Sequence, residues 1–420
     1  MLAIQPAEHL SSCISVPGSK SYTHRILIAT ALSDGTCKIE NALTSDDTEL
    51  TIESLRLMGV NIKIDSDKII VNGTRGRLTG SDKLYLGNSG TGMRFFTALA
   101  AMAEGRSVLT GNARMTERPI SNLIDGLKQL GVKIRSLKKR GYPPVEVIGR
   151  SIEGGHISLN CDISSQYLSA ILLIAPYTKK GVYIDITGEP VSKPYIDMTV
   201  DVMEKLGVTV SRKGYSEFYI PGGQIYSPGD YFVEPDASNA SYFWAAAAIT
   251  GGRVTVEKLT ENSGQGDMHI LKCFEEMGCH IERGKDGTTV IGESLHGIDV
   301  DMGDMPDMVP TIAVVAAFAD GVTVIRNIEH LKVKESDRIT AVRTELKKMG
   351  INTRYSDGVL EIFGGSPHGA EIDTYNDHRI AMSFSVAGLK VPGLFIKNEK
   401  CVSKSFPNYW DLFRSLYTGF

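Results

Sequence analysis

The sequence predicts an α/β fold in which one unit is repeated six times, with three copies in each of two domains. Apolar helical segments recur about 70 residues apart along the chain. A glycine-bearing turn and a β-branched strand follow most of these segments. A second helix comes next, and in five of the six copies it closes with a similar short phrase that contains glycine. Generic α/β alternation does not produce so regular a spacing.

The first helix of each copy is apolar nearly all round, which predicts burial on every side. These helices are predicted to begin near Ser21, Thr91, Ser165, Ser238, Pro310 and His378. The second helices are amphipathic, and in the fifth copy the apolar side chains at helical spacing are Ile339, Val342, Leu346 and Met349. The glycines that close them are placed as C′ caps at Gly59, Gly131, Gly207, Gly278 and Gly350. Helices of these two kinds, joined by short strands, predict pseudo-symmetric units with their helices inside.

The sixth copy predicts that the chain changes domain twice. It ends after its second helix, Phe406–Tyr417, whereas the opening segment Leu2–Val16 has the pattern of strands without a helix. We therefore expect the opening segment to complete the sixth copy. The predicted crossings are Pro17-Gly18 and Pro221–Gly229, where proline and glycine cluster. The predicted domains are residues 19–225 and residues 226–420 plus 1–18.

Composition and charge exclude several classes of protein. The formal net charge of −4 over 420 residues leaves no electrostatic footprint for nucleic acid or an anionic membrane. No apolar run is long enough to cross a bilayer, and we expect no signal peptide. The six cysteines form no Cys-x-x-Cys pair and no zinc-like spacing. We therefore expect reduced thiols in a cytoplasmic protein, and no metal site.

The stretch Leu86–Phe96 joins a short strand to an apolar helix through three glycines, Gly87, Gly90 and Gly92. Glycine brings backbone N–H groups close to a ligand, and the start of a helix carries unpaired N–H groups and a partial positive charge. This junction therefore predicts a seat for a small anion. If several such junctions face one cleft between the domains, the cleft suits a doubly or triply anionic substrate.

Cations stand at the start of several predicted helices, where the helix dipole disfavours them. They are Lys20, Arg25, Arg118, Lys334, Arg338, Arg379 and Lys404. Each one alone has the plainer interpretation of a solvated side chain, and the neighbouring Ser, Asp and Asn residues are ordinary N-caps. Their repetition favours anion binding. The first junction is superficially similar to a P-loop, but Ser19 replaces the glycine before the lysine, which disfavours an ATPase.

Short motifs at these junctions are distributed along the chain from about Pro17 to Pro407. They are Gly18-Ser19-Lys20-Ser21 with Arg25, Leu86–Arg94, Glu117-Arg118-Pro119-Ile120, Ser164-Ser165-Gln166, Ser192-Lys193-Pro194-Tyr195, Pro306-Asp307, Lys334–Arg338, Asp377-His378-Arg379 and Lys404-Ser405-Phe406-Pro407. In combination they resemble the EPSP synthase family, the 3-phosphoshikimate 1-carboxyvinyltransferases. The resemblance implies a two-domain inside-out α/β barrel of six βαβαββ repeats, with the active site in the cleft between the domains.

The same resemblance implies a reaction of the shikimate pathway, which leads to chorismate and the aromatic amino acids. The enolpyruvyl group of phosphoenolpyruvate would move to the 5-hydroxyl of shikimate 3-phosphate, releasing phosphate, with no metal or organic cofactor. Addition followed by elimination through a tetrahedral intermediate requires acid–base groups near the methylene and near the hydroxyl. The family pattern gives these catalytic roles to Asp307, Glu335 and Lys20. For Glu335 the plainer interpretation is a surface ion pair with Lys334.

The resemblance also implies the binding residues. Those for shikimate 3-phosphate are Lys20, Ser21, Arg25, Ser164, Ser165, Gln166, Ser192, Tyr195, Asp307 and Lys334. Those for phosphoenolpyruvate are Lys20, Asn88, Gly90, Arg118, Gln166, Arg338, Arg379 and Lys404. Ser89, Phe95 and His330 depart from residues common in the family. Because Gly90 leaves room beside the phosphoenolpyruvate pocket, we expect glyphosate to inhibit in competition with phosphoenolpyruvate.

Three other functions remain open. UDP-N-acetylglucosamine enolpyruvyl transferase shares the fold and one substrate, but its loop before Arg118 usually carries a reactive cysteine, and Gly111–Glu117 has none. RNA 3′-phosphate cyclases have related repeats, but the charge of this chain disfavours RNA. A non-catalytic phosphosugar-binding protein would keep the cations and have no use for Asp307 and Glu335. We expect small-molecule substrates as partners, no nucleic acid, no membrane, and a monomer.

Overall fold

The chain forms two compact units. The structure, a computed structural model, describes residues 1–7, 10–65 and 68–417. The central unit is Lys20–Val233, and the terminal unit joins Met1–Ser19 to Glu234–Phe420. The sequence instead places the second change of domain after residue 225. The reason for the difference is the strand Asp230–Phe232, which pairs with Thr36–Glu40 of the central unit.

Twelve α-helices lie within the described residues. They are α1 Lys20–Leu32, α2 Asp46–Leu57, α3 Gly90–Met102, α4 Ser121–Gln129, α5 Gln166–Ile174, α6 Lys193–Lys205, α7 Ala237–Thr250, α8 Ile270–Glu276, α9 Val309–Ala316, α10 Arg338–Lys348, α11 His378–Ala387 and α12 Tyr409–Ser415. Short 3₁₀ helices are Arg114–Glu117, Ala175–Tyr177, Gly266–His269, Pro306–Met308, Glu329–Val333 and Glu399–Lys404. In the part of the chain that the structure describes, every helix is too short or too polar to span a bilayer.

The strands are short, and many of them alternate buried and exposed residues, as expected for sheets with one face on a core. They are β1 Leu2–Ile4, β2 Ser11–Ile14, β3 Thr36–Glu40, β4 Asn61–Asp65, β5 Lys68–Asn72, β6 Leu84–Tyr85, β7 Gly105–Thr110, β8 Lys133–Ser136, β9 Val145–Gly149, β10 Gly155–Asn160, β11 Val182–Thr187, β12 Ser211–Lys213, β13 Glu217–Ile220, β14 Asp230–Phe232, β15 Arg253–Glu257, β16 His280–Arg283, β17 Gly287–Ile291, β18 Asp299–Asp301, β19 Val322–Arg326, β20 Asn352–Ser356, β21 Val359–Phe363, β22 Glu371–Ile372 and β23 Leu394–Ile396.

The central unit contains three four-stranded sheets of one topology. Their strand orders are β14-β3-β5-β4, β6-β7-β9-β8 and β10-β11-β13-β12. In each sheet the first pair of strands is parallel and the other two pairs are antiparallel. The second and third copies therefore place a helix between their parallel strands, and all three copies place a helix before their antiparallel hairpin. The first copy receives its parallel edge strand, β14, from the far end of the unit.

Two sheets of the terminal unit repeat this topology, with the orders β16-β17-β15-β2 and β18-β19-β21-β20, and its third sheet has the three strands β1-β23-β22. β1 lies antiparallel to β23 and completes the sixth copy, as predicted. β2, however, pairs in parallel with β15 and belongs to the fourth copy, so the expectation that the whole opening segment completes the sixth copy is wrong. A parallel edge strand as short as β2 has too little sequence pattern to indicate which sheet it joins.

The buried first helices are confirmed. Helices α1, α3, α5, α7, α9 and α11 begin within a residue of the predicted starts and are buried over almost their whole length. The five predicted C′ glycines have φ between +79° and +110°, a left-handed conformation that glycine adopts without strain. Each unit has its own apolar core, centred on its first helices. Burial of each large aliphatic side chain there contributes roughly 1.5–3 kcal/mol.

Candidate active site

Arg338, the first residue of α10, lies at the centre of an ion-pair cluster in the terminal unit. Its side chain is 1% exposed. Its Nη1 donates to Asp307 Oδ1 at 2.6 Å, its Nη2 to Glu335 Oε2 at 2.9 Å and its Nε to Asp377 Oδ2 at 2.9 Å. Burial alone would lower the pKa of Arg338, but the three carboxylates raise it above its ordinary value. One guanidinium thus organises three acidic side chains.

Asp307 bridges two arginines. Its second oxygen, Oδ2, accepts a hydrogen bond from Arg379 Nη2 at 2.6 Å, while Oδ1 faces Arg338. Burial alone would raise the pKa of Asp307, but Arg379, Arg338 and Lys334 hold it well below its ordinary value. Asp307 is therefore a carboxylate at neutral pH, and it keeps the two guanidinium groups side by side.

Local sequence explains how two helices of this cluster begin with cations. The N-cap of α10 is Asp337, whose carboxylate accepts from the backbone N–H of Thr340 at 3.1 Å. The N-cap of α11 is Asp377, which accepts from the backbone N–H of Arg379 at 3.0 Å. An aspartate at each N-cap satisfies an unpaired N–H group and offsets the unfavourable position of the arginine near it.

Two buried residues of the fourth copy join the cluster, and the sequence pattern does not single out either of them. Tyr242 on α7 accepts a hydrogen bond from Arg379 Nη1 at 3.2 Å. Asp267, in the 3₁₀ helix Gly266–His269, accepts one from the Ser238 hydroxyl. Burial and the neighbouring charge of Asp307 raise the pKa of Asp267 to about 6. An aspartate just before a helix looks like an ordinary cap, so only the fold reveals its proximity to the cluster.

We expect Asp267→Asn to change how stability depends on pH. Because the folded pKa of about 6 lies above the unfolded value of about 4, the folded state holds a proton that the unfolded chain releases between these values. Stability therefore falls as the pH rises through this window, and asparagine removes the fall. Urea unfolding should show the variant gaining about 1–3 kcal/mol relative to the wild type between about pH 4 and about pH 7.5. An equal difference at both pH values would contradict this expectation.

Lys334 and His330 lie beside Asp307. Lys334 follows the 3₁₀ helix Glu329–Val333, and its charge contributes to the lowered pKa of Asp307. His330 is buried, and burial together with Lys334 lowers its pKa to about 3. The imidazole is therefore neutral at physiological pH, and its Nε2 has no hydrogen-bond partner among the described residues. Lys404, which is also buried, ends the 3₁₀ helix Glu399–Lys404 that packs against α11.

In the central unit, Arg25 ties α1 to α6. Its Nε donates to Thr199 Oγ1 at 2.8 Å, its Nη1 to the Ser21 carbonyl at 2.9 Å and its Nη2 to the Tyr195 carbonyl at 3.0 Å. The guanidinium carbon lies 5.3 Å from the centroid of the Phe95 ring. Burial lowers the pKa of Arg25 to about 10, so the side chain remains charged at neutral pH. Three of its five N–H donors are engaged within the protein.

Lys20 begins α1 and lies 3.5 Å from the Asp47 carboxylate of α2, measured from Nζ to Oδ2. The two side chains are 14% and 6% exposed. One turn further along α1, His24 Nδ1 lies 2.8 Å from the Thr51 hydroxyl. This part of the central unit therefore places an ammonium group among polar side chains of α1 and α2.

The position of Arg118 explains why the glycine-rich stretch has no side chain at Gly90. Arg118 Nη1 donates to the Asn88 carbonyl at 2.9 Å and to Asn88 Oδ1 at 3.3 Å. A Cβ atom at Gly90 would lie 2.5 Å from Arg118 Nη2, closer than any real contact of that kind. Ser89 caps α3 by accepting from the Gly92 N–H at 3.2 Å. Gly90 is thus needed because a guanidinium lies against the start of α3.

The serine-rich junctions lie at the starts of α5 and α6. Gln166, the first residue of α5, donates from Nε2 to Thr91 Oγ1 on α3 at 3.1 Å, and its N–H donates to Ser164 Oγ at 3.2 Å. Ser165 is the buried N-cap of α5. The N-cap of α6 is Ser192, which has a left-handed backbone with φ of +58°.

The hydroxyl of Ser192 is buried and has no hydrogen-bond partner among the described residues. A buried polar group without a partner costs about 1–3 kcal/mol, and a ligand that bonds to it removes that cost. Tyr195 lies one turn further along α6, and its N–H donates to the Ser192 carbonyl at 3.1 Å.

The family model described as EPSP synthase (3-phosphoshikimate 1-carboxyvinyltransferase) matches residues 4–413. This chain belongs to the EPSP synthase family. A 3-phosphoshikimate 1-carboxyvinyltransferase of Vibrio cholerae serotype O1 is 43% identical over 99% of both chains. One from Trichormus variabilis is 42% identical over 96% of both chains. An EPSP synthase structure from Acinetobacter baumannii has a TM-score of 0.82 at 29% identity and covers 99% of this chain and 97% of that one.

The EPSP synthase resemblance and its fold are thereby confirmed. Within the terminal unit, the structure brings together five residues predicted for the site: Asp307, Lys334, Glu335, Arg338 and Arg379. Within the central unit it joins Asn88, Gly90 and Arg118 at one turn, and Ser21, Arg25 and Tyr195 at another place. The interpretation of Glu335 as a surface partner of Lys334 is replaced by its bond to the buried Arg338.

Proposed function

We propose that this chain is a 3-phosphoshikimate 1-carboxyvinyltransferase of the shikimate pathway. It transfers the enolpyruvyl group of phosphoenolpyruvate to the 5-hydroxyl of shikimate 3-phosphate and releases phosphate. The observation that carries the proposal is the buried cluster of Asp307, Glu335, Arg338 and Arg379 in a chain that matches the EPSP synthase family over residues 4–413. Charged donors and acid–base groups of this kind suit the addition of an alcohol to an anionic enol phosphate.

The arginine pair suits the carboxylate of phosphoenolpyruvate. Because Asp307 accepts from Arg338 and Arg379 at 2.6 Å each, the two guanidinium groups lie next to each other. Planar guanidinium forks bind planar carboxylates through paired, charge-assisted hydrogen bonds. We assign Arg338 and Arg379 to the carboxylate, and Lys20, Asn88, Gly90, Arg118, Gln166 and Lys404 to the phosphate side of the same substrate.

Shikimate 3-phosphate requires cations for its phosphate and carboxylate and polar groups for its ring hydroxyls. We assign these roles to Lys20, Ser21, Arg25, Ser164, Ser165, Gln166, Ser192, Tyr195, Asp307 and Lys334. The buried hydroxyl of Ser192 supports this assignment because an anionic oxygen would satisfy it. We further propose that these residues from the two domains serve one active site in the cleft between them.

The chemistry needs three proton transfers besides binding. The 5-hydroxyl gives up its proton as its oxygen attacks C2 of phosphoenolpyruvate, while C3 takes a proton. The tetrahedral adduct then loses phosphate and a methyl proton. We assign these transfers to Asp307, Glu335 and Lys20. A carboxylate with a strongly lowered pKa is a weak base, but the negative charges of both substrates would raise the pKa of Asp307 toward the working range.

The net charge and the cysteines support a proposal for the compartment and the partners of the enzyme. We propose that it acts as a monomer in the cytoplasm on small molecules, without nucleic acid or membrane partners. The net charge of −4 gives no basic footprint for RNA. All six cysteines are free thiols, as is usual where thiols are kept reduced.

The test of the function is inorganic phosphate release by the purified protein. We expect release when phosphoenolpyruvate and shikimate 3-phosphate are present together, and none with either alone. UDP-N-acetylglucosamine in place of shikimate 3-phosphate should give no release. If the protein binds shikimate 3-phosphate but never releases phosphate, it is a binding protein and the proposal fails.

We expect Gly90→Ala to raise the KM for phosphoenolpyruvate by about tenfold with little effect on folding. The added methyl group would lie 2.5 Å from Arg118 Nη2, and the end of a flexible arginine can move without disturbing the core. The displaced guanidinium would bind the substrate phosphate less well. The wild type should be inhibited by glyphosate in competition with phosphoenolpyruvate, and this inhibition should weaken in the variant. Steady-state kinetics with unchanged constants in the variant would contradict the role of Arg118.

A further inference from the structure

Glu345 is a fully buried carboxylate near the end of α10, about two turns beyond Arg338. It accepts hydrogen bonds from the Tyr375 hydroxyl at 2.6 Å and from the backbone N–H of Asp373 at 3.0 Å. Lys348 Nζ donates to both of its oxygens, at 2.9 and 2.7 Å. A negative charge near a helix C-terminus is disfavoured by the dipole, and its burial adds a desolvation cost. Its pair with Lys348 lies within α10, and its other two hydrogen bonds tie α10 to the segment 373–377.

The same segment is bound to the start of α10 at its other end. Asp377 accepts from Arg338 Nε and from the Ser336 hydroxyl, each at 2.9 Å. Asp377 also caps α11 through the N–H of Arg379. The five-residue segment is thus anchored at both ends of α10, and it delivers the arginine that faces Asp307.

Between these anchors the backbone is strained. Tyr375 and Asn376 both have φ of +54°. Asparagine tolerates the left-handed region, but a tyrosine there is a true outlier because its Cβ crowds the backbone. Such a conformation persists only where the surrounding contacts impose it. Glu345 supplies two of those contacts, by accepting hydrogen bonds from the Tyr375 hydroxyl and from the Asp373 backbone N–H.

We propose that Glu345 and Tyr375 form a clamp that holds the left-handed turn Tyr375-Asn376 and thereby positions Arg379 for its anionic substrate. The inference rests on the proposed function, in which Arg379 binds the phosphoenolpyruvate carboxylate. Glu345 and Tyr375 act through Asp377 and Arg379, so they are positioning residues. The clamp explains why a carboxylate is kept at position 345 although the helix dipole and burial both disfavour its charge.

The first test is Tyr375→Phe, which removes the hydroxyl bond and keeps the strain. We expect the KM for phosphoenolpyruvate to rise about tenfold, with kcat and the KM for shikimate 3-phosphate changing less than about threefold. Glu345→Gln should act in the same direction. The matched control is Tyr183→Phe, which removes a tyrosine–glutamate bond of the same 2.6 Å length to Glu217 in the central unit. It should change none of these constants.

The second test is Tyr375→Gly, which removes the bond and the strain together. Because glycine adopts the left-handed region freely, we expect it to restore most of the affinity that Tyr375→Phe loses. A merely structural tyrosine would give the opposite order, since glycine deletes the whole ring. A KM in Tyr375→Phe equal to that of Tyr183→Phe, or a glycine variant worse than the phenylalanine variant, would overturn the clamp.

Hydrogen exchange separates this inference from the proposed function. Peptides covering residues 373–379 should exchange faster in Tyr375→Phe and Glu345→Gln than in the wild type, and Tyr183→Phe should leave them unchanged. Faster exchange in a protein without phosphate release would retain the clamp and reject the proposed function. Unchanged exchange in both clamp variants would reject the clamp whatever the activity.

Discussion

Asp307→Asn is expected to lower kcat at least about a hundredfold, which is the usual contribution of an acid–base group. The amide can accept from one arginine, but it cannot take a proton, and it presents an N–H₂ group to a second guanidinium. The substitution therefore also breaks the bridge in which Asp307 accepts a 2.6 Å hydrogen bond from each of Arg338 and Arg379. The rate of phosphate release, measured with both substrates present at saturating concentrations, gives kcat directly.

The matched control for this variant is Asp299→Asn. Asp299 also accepts two hydrogen bonds from guanidinium N–H groups, both of them from Arg326, at 2.7 and 2.6 Å, but the pair is exposed. We expect its kcat to stay within about twofold of the wild type. Circular dichroism should show both variants folded. Retention of more than about a tenth of the wild-type kcat by a folded Asp307→Asn protein would remove Asp307 from the catalytic residues.

Arg338→Met is expected to have the largest effect on stability, a loss of about 3–5 kcal/mol. The change leaves the carboxylates of Asp307, Glu335 and Asp377 without the guanidinium that faces all three. Arg338→Lys keeps the charge, but a single ammonium group cannot reproduce the planar fork. It should recover part of the stability and little of the activity. Urea unfolding followed by circular dichroism measures the stability of both variants, and phosphate release measures their activity.

Arg326→Met is the corresponding surface control. It breaks the exposed pair with Asp299, which contributes about 0–1 kcal/mol at most. Similar losses of stability in Arg338→Met and Arg326→Met would show that the buried cluster does not depend on its central arginine.

Much of the fold follows from local signals. The apolar helices and their C′ glycines are determined by residues close together in the chain, and so they are predictable from spacing. The partners of β2 and β14 are not, because each strand pairs with a segment remote in sequence and carries only three or four residues of pattern. The second change of unit therefore lies after Val233 rather than within Pro221–Gly229.

The candidate site likewise has residues that local sequence predicts and residues that only the packing of the fold brings together. Cations at helix starts indicate anion binding. The structure adds that Arg338 is already held by Asp377 of the next copy, and Arg379 by Asp307 of the preceding one. Tyr242 and Asp267 come from a different copy, so their proximity to these arginines depends on packing alone. The strain at Tyr375 is likewise invisible in the sequence, since no residue type there signals a left-handed turn.

The most direct measurement is a crystal structure of the protein with shikimate 3-phosphate and glyphosate bound. The account predicts one occupied site in which Lys20, Arg118 and Ser192 contact the ligands together with Arg338 and Arg379. Ligands that contact Lys20, Arg118 and Ser192 but not the two arginines Arg338 and Arg379, or the reverse, would contradict the account. Ligands bound at two separate places would contradict it as well.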